Sequence, residues 1–283
     1  MHATAAPPPQ PFFLDGGAAA RFCLYHAPAH APAGQCAGAW LYLHPFAEEM
    51  NKSRRMAALL ARALAAQGHA VLQLDLYGCG DSAGDFGDAR WETWRDDVLR
   101  GLQWLERQCG RRPGLWGLRL GALLALDVAA TVDVPALLLW QPITSGAQCL
   151  TQFLRLKVAS QMLTDGAAGN GTAALRHALA AGEALEIAGY RLDPALAAAI
   201  DGCDGTRLPA PACPVHWYEV AADSGRPLSP AAARVTDGWR AAGATVATHV
   251  VAGPQFWATQ EIEECPALLD ATLRHLAAAC HAA

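Results

Sequence analysis

Six apolar runs of strand length, "AWLYLH", "AVLQLDL", "GLWG", "ALLLWQ", "VHWYEV" and "ATHVV", recur along the chain with helix-period segments between them. A strand that is apolar throughout has to be covered on both faces, and an intervening helix lets successive strands run parallel. The alternation therefore predicts an α/β fold, a mostly parallel central sheet with helices on both faces. Two of those helices can be checked by spacing: Met56, Leu59, Leu60, Ala63 and Leu64 form one stripe, and Trp91, Trp94, Val98, Leu102 and Leu105 another. Gly68 ends the first, where glycine suits a C-cap.

The rhythm has a beginning, a gap and an end. "PFFLDGGAAARFCLYHAP" reads as an opening hairpin around Asp15-Gly16-Gly17. Between Thr151 and Leu208 the strand-helix order lapses into Ala-rich helical pieces joined by "DGAAGNGT", which marks an insertion over the sheet. It resumes at Cys213, and "CPALLDATLRHLAAAC" supplies a closing amphipathic helix. The expected plan is a disordered Pro-rich lead-in over residues 1–11, a core over 12–150 and 209–283, and an inserted cap over 151–208. No internal repeat is evident.

Composition narrows the function classes. The chain has 283 residues, 53% hydrophobic, which is enough for one sizeable core. A formal charge of -5 and the lack of Lys/Arg runs provide no electrostatic footprint for nucleic acid. Nine scattered cysteines, with no CxxC pair, suit a reducing cytoplasm and propose neither a metal site nor a cofactor. "MHATAAPPPQPFF" lacks the basic head and apolar core of a signal peptide, and the longest uncharged run, Val134 to Leu154, is broken by Pro135 and Pro142. The expectation is a cytoplasmic protein with no membrane span.

In an open α/β sheet, ligands bind beyond the carboxyl ends of the strands. The residues to inspect are His44-Pro45-Phe46, the "DLYGCGDSAGDFGD" loop, Arg119, Gln141-Pro142, Glu219 to Asp223, and Gly253-Pro254-Gln255. Among them "LWGLRLGALLA" has the layout of a buried strand, a tight glycine turn and a helix start. Hydrolases place a serine at the centre of such a G-x-S-x-G turn, with a histidine to take its proton and an acid to orient the histidine. Here the central residue is Arg119.

The layout resembles the α/β-hydrolase fold across nearly the whole chain. More closely, "HPFAEEMNKSRRMAALLARAL", "GCGDSAGDFGDA", "LWGLRLGA" and "QEIEECPALLDATL" look like the family called exosortase A system-associated hydrolase 2. The resemblance implies a hydrolase acting on acyl or ester bonds, in a setting of exopolysaccharide production and PEP-CTERM protein sorting. The chain departs from the pattern at two of three triad positions: Arg119 stands at the nucleophile, and the loop after the last strand, where the histidine normally sits, reads "VAGPQFWATQ" with Gln255. Loss of the serine or the histidine alone removes roughly 10⁶ in kcat, leaving about 10³ to 10⁴ over water. A guanidinium stays protonated and cannot replace the nucleophile.

Three readings follow. In the first, Arg119, His44 and nearby amides at a helix N-terminus bind a small anionic or acyl-bearing molecule. A cation at that end of a helix opposes the dipole, so Arg119 needs an acidic partner or an anionic ligand. Glu48, Glu49, Asp81, Glu261, Glu263 and Glu264 are candidate partners, and a plain structural ion pair is the competing account. The crevice set is His44, Glu48, Glu49, Asp81, Ser82, Arg119, Gln141, Gln255 and Glu261. In the second, catalysis survives with displaced parts: Ser82, Cys79, Ser145 or Ser53 as nucleophile, His44 as base, and Glu219 or Asp223 as acid. The third is a non-catalytic interaction module, docking a protein partner or a second copy through exposed aromatics of the insertion or of the "FWATQEIEECP" segment, although Phe256 and Trp257, as aromatics after a strand, usually pack in the core. His26 and His30 read as a flexible surface loop, and His216 and His249 as satisfied histidines of the sheet.

Overall fold

The computed structural model describes residues 7–15, 17–29, 36–165 and 171–282. Strands β1 (Gln10–Leu14) and β2 (Arg21–His26) form the opening hairpin, antiparallel with Phe12 opposite Cys23. Pairing already starts at Gln10, so the end of the expected 1–11 lead-in belongs to the sheet; its first six residues lie outside the described set. Next come β3 (Gly38–Leu43), α1 (Glu48–Ala66), β4 (His69–Leu74), α2 (Trp91–Cys109), β5 (Gly114–Leu118), α3 (Leu120–Ala129) and β6 (Leu137–Trp140). An insertion follows, made of α4 (Gly146–Asp165), α5 (Gly171–Ala180), the small hairpin β7 (Leu185–Ile187) and β8 (Tyr190–Leu192), and α6 (Pro194–Gly202). The chain closes with β9 (Val215–Ala221), α7 (Pro230–Ala241), β10 (Val246–Ala252) and α8 (Pro266–Ala282). Helix α4 begins at Gly146 and runs through Thr151, because no breaker separates the two.

The main sheet has eight strands in the order β1-β2-β4-β3-β5-β6-β9-β10. All neighbours from β4 to β10 run parallel, while β2 meets β4 antiparallel. Its two faces carry different cores. Tyr42, Trp116 and Trp140 pack with Met56, Leu60 and Leu268 of α1 and α8 on one side. Leu41, Leu115 and Leu139 pack with Val98 of α2 and Leu123 of α3 on the other. The α1 stripe is rotated slightly from the spacing expectation: Ala57, Ala61 and Ala65 are buried, whereas Leu59 and Ala63 are only partly so. Gly68, at φ +86°, follows the helix end in the left-handed conformation that glycine tolerates.

One tertiary tie has no signature in the sequence. Asp97, fully buried on α2, accepts from Arg21 Nε at 2.7 Å and from the Tyr77 amide at 2.8 Å. It fastens the opening hairpin and the loop after β4 to the helix behind them. Burial pushes the Asp97 carboxyl up, and the two donors oppose that shift.

The order of strands also places the crevice. From β3 the chain crosses through α1 to β4 on one side, then through α2 to β5 on the other. The loops leaving the ends of β3 and β5 consequently diverge, and such a switch point opens a crevice at the strands' carboxyl ends. Residues 44–49 and Arg119 lie there.

Candidate ligand-binding crevice

Arg119 is the N-cap of α3 with φ 56° and ψ -117°, a conformation side-chain-bearing residues rarely adopt. It is held there by its surroundings. Its amide donates to Trp140 O at 3.0 Å, and its carbonyl accepts from Ala122 and Ile143 amides at 3.1 and 3.2 Å. The flanking glycines make the turn possible: a Cβ on Gly117 would fall 2.4 Å from Ala122 Cα, and one on Gly121 2.3 Å from Leu43 O. The elbow geometry is thus complete, with a guanidinium where such a turn displays a hydroxyl.

The guanidinium is paired. Arg119 Nη2 donates to Glu49 Oε1 at 3.0 Å and Nε spans both carboxylate oxygens at 3.3 and 3.4 Å. Glu49 sits in the first turn of α1, where an acid is favoured by the helix dipole, and it answers the repulsion that α3 imposes on Arg119. Ala47, the N-cap of α1, has φ 50° and ψ -129°, much as Arg119 does, so two helix starts face one space. Arg119 Cζ also lies 5.4 Å from the centre of the Trp257 ring, within cation-π range.

These groups border a cavity of about 430 Å³. Its polar walls are Arg119, Glu48, Glu49, Lys52 and Gln152; Phe46, Phe153, Leu156 and Trp257 supply most of the apolar surface, and Cys149 the thiol. Glu48 accepts from Tyr190 of the insertion at 3.1 Å, which ties the cap to the N-terminus of α1. Burial pushes the Cys149 thiol up to about 12, so it stays protonated and poorly nucleophilic.

Of the residues singled out from sequence, Arg119, Glu48 and Glu49 meet here. The others are elsewhere, each for a visible reason. His44 follows β3 beside β5, as expected, but its ring turns away: Nδ1 donates to Pro45 O at 2.8 Å and Nε2 accepts from the Leu76 amide at 3.3 Å. Both nitrogens are committed and burial pushes its pKa down, which describes a loop-fastening neutral imidazole rather than a base. Ser82 is buried, donating to Asp75 O at 2.5 Å and accepting from the Phe22 amide at 2.9 Å. Cys79 is buried with its thiol pKa raised by desolvation. Ser145 Oγ accepts from the Gln148 amide at 3.3 Å in the first turn of α4. Ser53 is buried in α1.

The remaining candidates are similarly occupied or distant from the cavity walls. Gln141, at φ 42°, uses Oε1 to accept from the Val220 amide at 2.7 Å, joining the ends of β6 and β9. Glu219 accepts from the Ser229 amide and hydroxyl at 2.8 and 2.7 Å, and Asp223 closes a local turn on the Gly225 amide at 2.9 Å. Asp81, Gln255 and Glu261 are exposed and outside the cavity walls. Glu264 pairs with Arg55 instead of Arg119. Phe256 and Trp257 are buried, as aromatics after a strand commonly are, with Trp257 also forming cavity wall.

Lys52 was missed although its i,i+3 and i,i+4 spacing from Glu49 and Glu48 places it on their face of α1. Cys149, Gln152, Phe153 and Leu156 come from the insertion, whose docking no local pattern reveals. Two histidine readings also change. His26 ends β2 and meets Gln73 Oε1 at 3.0 Å, rather than lying in a loose loop; His30 is outside the described residues. His216 Nδ1 and His249 Nε2 are buried without hydrogen-bond partners among the described residues.

No protein-family model and no curated protein matches the sequence. Solved structures do match in shape. Est1E from Butyrivibrio proteoclasticus, with ferulic acid bound, superposes with a TM-score of 0.65 at 16% identity, covering 94% of this chain and 99% of the other. An alpha-beta serine hydrolase homologue from Coxiella burnetii gives 0.52 at 14%, covering 96% and 98%. Thermogutta terrifontis esterase 2, phosphoramylated by tabun, gives 0.57 at 12%, covering 98% and 97%. At such identities the likeness concerns architecture, and with the strand order and the elbow it establishes that this chain has the α/β-hydrolase fold.

Proposed function

We propose that the crevice binds a small anionic or acyl-bearing molecule and that the protein has given up serine-triad hydrolysis. The observation that carries this reading is Arg119: it occupies the elbow in the strained elbow conformation, paired with Glu49, on the wall of the cavity. Two of its nitrogens are engaged by Glu49, while Nη1 makes no hydrogen bond among the described residues. Lys52 adds a second cation, and the starts of α1 and α3 add their dipoles. Phe46, Phe153, Leu156 and Trp257 form an apolar wall for a hydrocarbon or aromatic body. A volume of about 430 Å³ suits a metabolite-sized ligand.

Nothing in the geometry favours a displaced nucleophile. Ser82 and Cys79 are buried in the loop after β4, and His44 has no free ring nitrogen to accept a proton. The resemblance to exosortase A system-associated hydrolase 2 supports a cytoplasmic role beside exopolysaccharide production or PEP-CTERM sorting, where the ligand would be an acyl-bearing intermediate. No helix among the described residues is long and apolar enough to cross a membrane.

The test is calorimetric titration with octanoate, octyl phosphate and octanol. Octanoate and octyl phosphate are expected to bind, octanol at least tenfold more weakly, and Arg119→Ala to abolish that preference. Equal affinity for octanol, or anion binding unchanged in Arg119→Ala, would overturn the proposal.

A further inference from the structure

A second cavity, of about 160 Å³, lies between α1 and the part of the sheet where β2, β4 and β3 run side by side. Phe22, Leu24 and Met50 form its apolar side, and Tyr42, Arg54, Gln73, His44 and Asp75 its polar side. None of its walls belongs to the Arg119 crevice.

Three of the polar groups, Tyr42, Arg54 and Gln73, each have a donor to spare. Tyr42 is only 5% exposed, yet its hydroxyl has no hydrogen bond among the described residues. The hydroxyl lies on the cavity wall, where it is free to donate to whatever occupies the cavity. Arg54 donates to Asp75 through Nη2 at 2.9 Å and Nη1 at 3.4 Å, leaving Nε uncommitted. Gln73 uses Oε1 for His26, so its amide nitrogen is also unspent. The acceptors, by contrast, are consumed. Asp75 receives Arg54 and the Asp81 amide, and its charge is matched by Arg54. Both nitrogens of His44, which touches the same cavity, are already bonded.

We propose that this cavity is a binding site for a short-chain carboxylate. The carboxylate would accept from the Tyr42 hydroxyl, Arg54 and the Gln73 amide, with its alkyl chain against Phe22, Leu24 and Met50. The volume equals roughly five liquid waters, which suits a small acid and excludes the larger molecule proposed for the crevice.

Sodium butyrate is the probe, followed by ligand-observed NMR at constant ionic strength on the full chain carrying Arg119→Ala, which removes the crevice's preference for anions. Saturable binding is expected, weakened at least tenfold by Tyr42→Phe and by Gln73→Leu, with butyramide at least tenfold weaker than butyrate. Tyr42→Phe keeps the ring that packs 4.3 Å from Trp116, so the variant is expected to fold, and its unfolding midpoint checks this. The proposal is overturned by absence of saturable binding, by unchanged affinity in Tyr42→Phe, or by butyramide binding as tightly as butyrate. Because Tyr42 and Gln73 line only this cavity, their effects are independent of octanoate binding at the crevice.

Discussion

Removing either half of the Arg119–Glu49 pair should destabilise the fold unequally. Breaking a buried pair by deleting one partner costs about 3–5 kcal/mol, and an exposed pair is worth about 0–1 kcal/mol. These side chains are 16% and 29% exposed, an intermediate case. Glu49→Gln leaves a cation at the N-terminus of α3 with no counter-charge, and the dipole adds about 0.3–1 kcal/mol against it. The sum is roughly 2 kcal/mol. Arg119→Ala loses the same ion pair and a cation-π contact, but it leaves Glu49 in the first turn of α1, where an acid is favoured, and removes the repelled cation from α3. The residue at φ 56° is non-glycine in both cases, so backbone strain cancels. The expected cost is about 1 kcal/mol, or half that of Glu49→Gln. Urea unfolding of both variants reads the difference, and thermal midpoints should fall by about 4 °C and 2 °C, at roughly 2 °C per kcal/mol for a chain of this size. If Arg119→Ala is as destabilising as Glu49→Gln or more so, the dipole reasoning is wrong.

Three other outcomes follow from the same geometry. Gly121→Ala would drive a Cβ to within 2.5 Å of the Leu43 and His44 carbonyls, so it should cost about 1–3 kcal/mol, seen as a lowered urea midpoint. Ser82→Ala strands the Phe22 amide and should cost about 1–3 kcal/mol while leaving octanoate affinity at the crevice unchanged, since Ser82 is no part of its wall. His249 stacks on His275 at 3.7 Å, near His216 and Tyr218, and Arg274 acts on the neighbouring Tyr218. Burial, then repulsion from His275 and His216, push His249 down to about 4, while the unfolded value is about 6.5. The unfolded chain therefore takes up the proton first: stability is full above pH 6.5 and declines as pH falls toward 4. Urea midpoints at pH 7.5 and 4.5 should differ less in His249→Gln than in the wild type.

Much of the architecture was legible because burial periodicity is local. The six apolar runs became β3, β4, β5, β6, β9 and β10, and the expected opening hairpin became the antiparallel pair β1 and β2. The elbow was legible too, since Gly117 and Gly121 exclude any side chain larger than hydrogen. What could not be read was which distant groups meet. Glu49 was one of six acids that could have answered Arg119, and the choice depends on the angle at which α1 enters the crevice. The cap residues Gln152, Phe153 and Leu156 reach the cavity through packing of helices with no periodic tie to the sheet. Asp97 carries no local signal of its role, and only the fold brings Arg21 to it across 76 residues. Alanines misled the α1 stripe, because a methyl group marks a buried face weakly in any pattern of apolar residues.

The most direct test of the central claim, a crevice that binds and does not cut, is intact-mass spectrometry of the folded wild-type protein after exposure to an alkyl fluorophosphonate, a covalent probe of activated serines. The account predicts an unmodified mass, because Arg119 holds the elbow and none of Ser82, Ser145 and Ser53 is hydrogen-bonded to a histidine or carboxylate side chain among the described residues. A stoichiometric adduct mapped to any serine would contradict it and establish that a working nucleophile lies outside the elbow.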